Sequence, residues 1–319
     1  MTDTREQRLE KALFRGGALT LANPDYLRAV RTFTEALLHV DLDPRDLTVE
    51  ALGIESKPGS GIVLAREDGV AAGLEEVVWL LRNAGIEAAL EKRDGDTIQD
   101  GEILLRAEGP RNKLLSYERV GLNILQRMSG IATMTRCFQS RASNRCASTR
   151  IVATRKTPWG LLDKRAVHWG KGGTHRIGLG DAILIKNNHL ALIASREEEA
   201  APIAIGRAWK FRDSAAFIEV EVRGEAAALG AAQTFRRLQE EGHEPYPCLL
   251  MLDNMTPAKI GSILGALRRE QLWDDTLVEA SGGVTEASLE GYADTGVDAI
   301  SIGALTHSPR ALDLSERIA

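Results

Sequence analysis

The chain has 319 residues, a net charge of −5, 44% hydrophobic and 27% charged residues. That length suits about two domains with a sizeable core, and the ordinary composition excludes a disordered or fibrous chain. The acidic balance excludes a protein that holds nucleic acid through overall positive charge. The first seventeen residues, MTDTREQRLEKALFRGG, are too charged for a signal peptide, and no apolar run approaches ~18 residues. Cys137, Cys146 and Cys248 form no C-x-x-C pair and read as reduced, mostly buried thiols of a cytoplasmic protein, with no membrane partner.

In chain order, residues 8–40 read as helical with a break at Gly16-Gly17, and 41–48 as a turn-rich connection. A strand is expected at 61–65, an amphipathic helix at 74–81, and strands at 88–92 and 101–108 around Asp94-Gly95-Asp96. That turn also occurs in lipoyl-type carrier domains, but no hairpin lysine follows, so the structural reading is preferred. Ser116 reads as the N-cap of a helix running toward Met128, with Gly130 interrupting or ending it.

After Arg150 the pattern becomes repeated strand–loop–helix units, with strands at 151–153, 182–185, 217–222, 249–252, 277–279 and 298–302. Helix starts are legible between them, as at Thr256-Pro257 and after Thr285. Short buried strands alternating with helices predict a parallel sheet, open or closed into a barrel. The stretch 150–189 holds eight Lys and Arg and three of the six histidines, against Asp163 and Asp181 as its only acids. A solvated helix face is the usual meaning of a charge run, but these charges lack helical spacing and follow the strands directly. Together they make a local field for an anion. The loop Gly170-Lys171-Gly172-Gly173-Thr174-His175-Arg176 allows close backbone approach to such an anion. It is not a P-loop, because its lysine precedes glycine and Arg165 stands where that motif needs glycine.

What ends each strand is informative. Arg155-Lys156 follows the first and Lys186 the second; the third carries Glu219 and Glu221 on one face, since strands alternate with period two. Asp253-Asn254 ends the fourth, Glu279 and Ser281-Gly282-Gly283 the fifth, and Gly303-Ala304-Leu305 the sixth. In a barrel these ends converge, which suits a phosphorylated, magnesium-carried substrate: carboxylates for the metal, N–H groups for phosphate, cations for further charge. Each feature also has a plainer reading. Glu219 or Glu221 could be a salt-bridged filler, and Asp253-Asn254 a simple turn.

These motifs, with Glu118-Arg119, the run Leu125–Thr133, Thr154-Arg155-Lys156-Thr157, Met251–Met255 and Thr306-His307, resemble the quinolinate phosphoribosyltransferase (decarboxylating) family, also called nicotinate-nucleotide pyrophosphorylase. The resemblance covers about Leu27 to the C-terminus. It implies the type II phosphoribosyltransferase fold, an N-terminal α/β sandwich (1–124) and an open α/β barrel (125–307), with 308–319 packing back on the first domain. It also implies an Mg²⁺-dependent enzyme that joins quinolinate to phosphoribosyl diphosphate for NAD synthesis, releasing CO2. The implied assembly is a homodimer or larger, with Arg119 reaching across the interface. By resemblance, Arg155, His175, Arg176 and Lys186 hold the acceptor, with Thr154 beside them. Lys156 serves the donor, Glu221 and Asp253 the metal, and Ser281, Gly282, Gly283, Gly303, Ala304 and Leu305 the phosphate. Lys156, Lys186, Glu221 and Asp253 are the catalytic set.

The sequence departs from the family at Pro158-Trp159-Gly160, Lys171, Thr174 and Asn187, and in a longer link from Glu221 to Asp253 that includes 242–247. Because the substitutions at 158, 159, 171, 174 and 187 fall around the cations expected to bind the acceptor, two alternatives stay open: a different pyridine carboxylate as acceptor, or a non-catalytic relative that binds pyridine acids.

Overall fold

The computed structural model describes residues 3–42, 45–243 and 245–319. Asp43 and Pro44, the centre of the turn expected at 41–48, and Glu244 of the 242–247 loop lie outside the described residues. In chain order the elements begin α1 (Arg5–Leu13), α2 (Pro24–Leu42), α3 (Leu47–Ala51), β1 (Pro58–Ala65), β2 (Gly69–Val70), α4 (Leu74–Asn83), β3 (Glu87–Leu90), β4 (Thr97–Ile98) and β5 (Ile103–Pro110). They continue with α5 (Arg111–Arg145), β6 (Arg150–Val152), α6 (Leu161–Trp169), β7 (Ile183–Ile185), α7 (Asn187–Leu190), α8 (Glu197–Ala208), β8 (Ile218–Val222) and α9 (Glu225–Gly242). Last come β9 (Cys248–Asp253), α10 (Pro257–Arg269), β10 (Leu277–Ser281), α11 (Leu289–Ala293), β11 (Ala299–Ser301), α12 (Ala304–His307) and β12 (Leu314–Ile318). The chain forms two compact units, neither continuous in sequence.

The first unit takes residues 16–136, 157–171 and 305–319. Its antiparallel sheet has the order β12-β1-β5-β3, with β1 pairing β12 from Gly61↔Ile318 to Ala65↔Leu314. Helix α4 buries Leu74, Val77, Leu80 and Leu81, and its start is capped by Asp94, which accepts from Leu74 N (2.9 Å) and Glu75 N (3.2 Å). The Asp94-Gly95-Asp96 turn is therefore a helix cap. Helix α5 corrects the expected boundaries. It begins at Arg111, so Ser116 lies inside it and its hydroxyl donates to Asp46 at 2.9 Å. Gly130 does not end it either. A Cβ there would stand 2.1 Å from the carbonyl oxygen of Arg310, so this glycine answers a close approach of two backbones.

The second unit takes the chain up to Arg15, with 137–156 and 172–304. Its six strands are parallel and form an open sheet in the order β6-β11-β10-β9-β8-β7. The expected strands all appear, within two residues at either end. The mixed α/β expectation, with a parallel sheet after Arg150, holds.

Alternation sorts the inner face into two levels. At the bottom Val152, Leu249, Leu277 and Ala299 form an apolar floor with Leu9, Ala12 and Leu13 of α1. Arg5 fixes that helix by a bidentate bond to Asp298 (2.6 and 2.5 Å), whose Oδ2 also accepts from Val278 N. Two residues further along β8, β9 and β10, the same face carries Glu221, Met251 and Glu279, then Asp253 and Ser281. The helices that follow the strands have ordinary local causes. Thr256 accepts from Lys259 N with Pro257 in the first turn of α10, and the small side chains Ala227, Ala228, Ala231 and Ala232 of α9 are all buried. Of the cysteines, Cys248 is buried, Cys146 half-buried and Cys137 exposed, which corrects the expectation of mostly buried thiols; all three are free.

Candidate active site

The site is built on the polar end of the second unit's sheet. Strand β8 is buried along its whole length, so both of its glutamates start from a desolvated position. Glu221 retains 9% exposure, and its carboxyl is pushed up by burial and then by Asp253, against the opposing pull of Lys186 and Arg223. Its Oε1 accepts from Asn187 Nδ2 at 2.5 Å. Asp253, at the end of the neighbouring strand, accepts from Asn254 Nδ2 at 2.8 Å. Arg223 places one nitrogen 3.7 Å from Asp253 and 4.0 Å from Glu221. One cation thus already faces both carboxylates, and two hard oxygen donors converging on one positive charge suit Mg²⁺.

Glu219 is a different kind of residue. It is fully buried, and His175 Nε2 lies 3.0 Å from its Oε2 and 3.2 Å from Glu279 Oε2. Burial and then Glu279 push the Glu219 carboxyl up to about 7. Burial opposes charge on His175, but Glu279 and Glu219 outweigh it and lift the ring to about 9. His175 Nδ1 accepts from Arg176 N at 2.7 Å, which excludes a proton on that nitrogen. The raised affinity therefore belongs to the three groups together, with the proton between Nε2 and the carboxylates. Among the described residues these three form the one group within metal-ligating reach. It is buried inside the sheet, with Glu219 two residues below Glu221 on β8 and Glu279 two residues below Ser281, the partner of Asp253, on β10.

The expected cations gather at the same end. Arg155 and Lys156 are exposed after β6, where Thr154 Oγ1 accepts from Lys156 N at 3.1 Å. Arg176 is only 7% exposed; burial and then the neighbouring Arg155 make its guanidinium hold its proton less tightly than usual. It makes no side-chain hydrogen bond or ion pair among the described residues. Glu219 and Asp181 act on it with the opposite sign, and a largely buried guanidinium without a direct side-chain partner suits an anion. Lys186 is exposed at the start of α7 and within electrostatic reach of Glu221.

The turn after β10 has Gly282 at φ 87 and Gly283 at φ 63, and a Cβ on Gly282 would stand 2.5 Å from Asn254 Oδ1. Ser281 accepts from Ser301 Oγ at 2.9 Å. Gly303 and Ala304 are half-buried at the end of the last strand. Leu305 and Arg119 belong to the first unit, Leu305 fully buried and Arg119 exposed on α5.

Sequence reasoning passed over Arg223 and gave Glu279 no role. Period-two alternation was the available signal: Arg223 continues the Glu219–Glu221 face, and Glu279 lies two residues before Ser281. Two substitutions change meaning. Thr174 is fully buried, its hydroxyl donating to Leu13 O (3.2 Å) and His175 O (3.0 Å), and Asn187 donates to Glu221. Trp159 and Lys171 lie in the first unit, where Trp159 stacks on Phe33 with ring centroids 4.4 Å apart and on the Arg127 guanidinium.

Comparison with known proteins agrees with this geometry. Sequence models of the quinolinate phosphoribosyl transferase N-terminal and C-terminal domains match residues 46–129 and 131–317. The probable nicotinate-nucleotide pyrophosphorylase [carboxylating] of Methanothermobacter thermautotrophicus is 38% identical over 287 residues, covering 88% of this chain and 96% of the relative. The Mycobacterium leprae enzyme of that name is 34% identical over 293 residues, 90% of this chain and 96% of its own. Among solved structures, NadC from Streptococcus pyogenes superposes with a TM-score of 0.77 at 30% identity, over 91% of this chain and 96% of that one. The nicotinate-nucleotide pyrophosphorylase of Francisella tularensis gives 0.76 at 28% identity, over 92% and 96%. With both domain models matched in order along nearly the whole chain, this protein belongs to the quinolinate phosphoribosyltransferase family.

Proposed function

We propose that the chain transfers the phosphoribosyl group of phosphoribosyl diphosphate to quinolinate with loss of CO2, giving nicotinate mononucleotide and diphosphate. The observation that carries this reading is the group of cations at one end of the parallel sheet, with Arg176 largely buried and within the electrostatic reach of Arg155, a charge pattern that a pyridine dicarboxylate matches. Arg155, Arg176 and Lys186 take the two carboxylates, Arg119 of a second subunit completes the acceptor site, and His175 stands behind Arg176. Glu221 and Asp253 hold Mg²⁺, which supplies charge neutralisation for the departing diphosphate. Lys156 and Arg223 lie on the same anionic path. Backbone N–H groups at Gly282-Gly283 and Gly303-Ala304 receive the 5′-phosphate, with the neighbouring Leu305 N–H.

The chemistry needs no protein nucleophile. As the diphosphate leaves ribose C1, the cations stabilise its charge while the acceptor nitrogen, fixed by its carboxylates, meets the oxocarbenium carbon. The resulting pyridinium stabilises the electron pair left when the adjacent carboxylate departs as CO2, and that ring carbon then takes a proton from solvent to give the product. The altered shell at 158, 159, 171, 174 and 187 is what leaves another pyridine acid open as the acceptor. That motive weakens, because Thr174 and Asn187 face other partners. No helix among the described residues is long and apolar enough to cross a membrane, and the free cysteines support a reducing, cytoplasmic setting.

The test follows nicotinate mononucleotide and CO2 together from quinolinate, phosphoribosyl diphosphate and Mg²⁺, with EDTA as control and sedimentation for the assembly. Equal rates of both products are expected. Diphosphate release with a different acid alone would reassign the acceptor, and acid binding without any diphosphate release would make the chain a binding protein.

A further inference from the structure

The polar group inside the second unit is costly and enclosed. Glu219, Glu279 and His175 are 0%, 0% and 5% exposed; neither oxygen of either glutamate nor His175 Nε2 makes a hydrogen bond among the described residues, so the contacts at 3.0 and 3.2 Å hold as close ion pairs. Buried carboxylates of this kind cost several kcal/mol and are stabilising only when closely paired. A barrel interior filled by leucine would be the more stable choice. His175 adds a second cost, a non-glycine residue at φ 53, in a region worth about 1–3 kcal/mol of strain.

Several bonds hold that conformation. His175 N donates to Leu13 O (3.1 Å), and Gly173 is pinned to β6 from both sides, its N–H to Ile151 O and its carbonyl from Ala153 N. Phe217 meets the imidazole edge-on at 5.4 Å. The ring's two nitrogens then divide the work. Nε2 faces Glu219 on β8 and Glu279 on β10, and Nδ1 accepts the backbone N–H of Arg176. Both nitrogens are thereby turned inward. The ring links two strands of the sheet to the backbone from which the Arg176 side chain sets out.

We infer that Glu279 and Glu219 are positioning residues of the acceptor site: they hold the His175 ring, and the ring holds the Arg176 backbone and so the place from which its guanidinium reaches the acceptor. The inference rests on the reading that these arginines bind the acceptor. It explains why two glutamates and a strained histidine occupy an interior that packing alone would fill with apolar groups, a trade of stability for a rigid anion site.

The test uses Glu279→Gln, which keeps the size of the side chain and leaves Glu221 and Asp253 unchanged, with Glu279→Leu alongside. In the full-length enzyme Glu279→Gln is expected to fold and to match or exceed the wild-type melting temperature. Its KM for quinolinate should rise roughly 10–100-fold, with KM for phosphoribosyl diphosphate within about threefold. Glu279→Leu should show the larger acceptor defect, so that the glutamine variant is a partial rescue. If wild type fails to turn over quinolinate, the acceptor reading itself fails. If wild type is active and both variants keep its quinolinate KM, the positioning role is wrong. Equal losses toward both substrates would mean general disruption and also overturn it. Metal analysis of the purified protein is the last control. A stoichiometric transition metal lost in both variants would make the three residues a metal centre instead.

Discussion

Asn187→Asp isolates the electrostatics of the carboxylate pair. In the wild type the amide nitrogen donates to Glu221 Oε1 at 2.5 Å, beside Asp253 and within the fields of Lys186 and Arg223. The substitution replaces a donor by an anion. Two charges about 4 Å apart repel by about 4 kcal/mol at an effective dielectric constant of 20. Partial exposure and the two nearby cations reduce that, and loss of the hydrogen bond adds to it, so a net cost of about 2 kcal/mol is reasonable. For a chain of this size that is a fall of roughly 4–8 °C in melting temperature. The measurement is thermal unfolding in EDTA at pH 8 and again at pH 5. Glu221 already has a raised affinity for its proton, and an added anion raises it further. Destabilisation from such a group is present when it is ionised and fades as pH falls through its folded-state value, so the gap should narrow at pH 5. Added Mg²⁺ should stabilise the variant more than the wild type, because it gains an oxygen ligand. Identical melting temperatures in EDTA at pH 8 would refute the contact and the reasoning built on it.

Gly282→Ala combines φ 87 with a Cβ 2.5 Å from Asn254 Oδ1, so a loss of about 2–3 kcal/mol in donor binding is expected, read as a roughly 30–150-fold higher KM for phosphoribosyl diphosphate at unchanged quinolinate KM. Glu316→Gln tests a half-buried acid of the first unit whose carboxyl is pushed up to about 7 by partial burial and then by Glu118. Because the folded state binds this proton more tightly, wild-type stability falls as pH rises from about 4.5 to about 7. The variant should therefore unfold at a higher temperature than wild type at pH 8, by about 1–2 kcal/mol, and match it at pH 4. Gly130→Ala puts a methyl 2.1 Å from the Arg310 carbonyl oxygen and should cost about 3 kcal/mol or more, seen as a lower urea midpoint; a change under 0.5 kcal/mol would mean the two backbones do not approach.

The parallel sheet and most of its rim were legible because burial and alternation are written locally. Five-residue runs such as Ile218–Val222 announce a strand buried on both faces, and period two assigns Glu219 and Glu221 to one side before any coordinates are known. What alternation leaves undecided is depth. Glu219 and Glu221 share a face, yet one is sealed against His175 while the other meets Asn187 and Arg223 at the rim. Depth depends on register with neighbouring strands, and register is a tertiary fact: Glu219 pairs with Leu249, level with the apolar floor, and Glu221 with Met251. The same limit explains the misread helix. Gly130 has a poor helix propensity and reads as a break, but its lack of a side chain serves a contact 180 positions away in the chain.

Thr174 and Asn187 show the limit in the functional direction. Both are neighbours of acceptor cations in sequence, and both turn their polar atoms elsewhere, one to the end of α1 and one to Glu221. Sequence proximity to a binding residue therefore says little about which substrate a substitution will affect; the direction of the side chain decides that. Under the proposed function, Asn187 belongs with the carboxylate pair offered to the metal, Thr174 with the loop that carries His175, and acceptor identity is expected to rest with Arg155, Arg176 and Lys186.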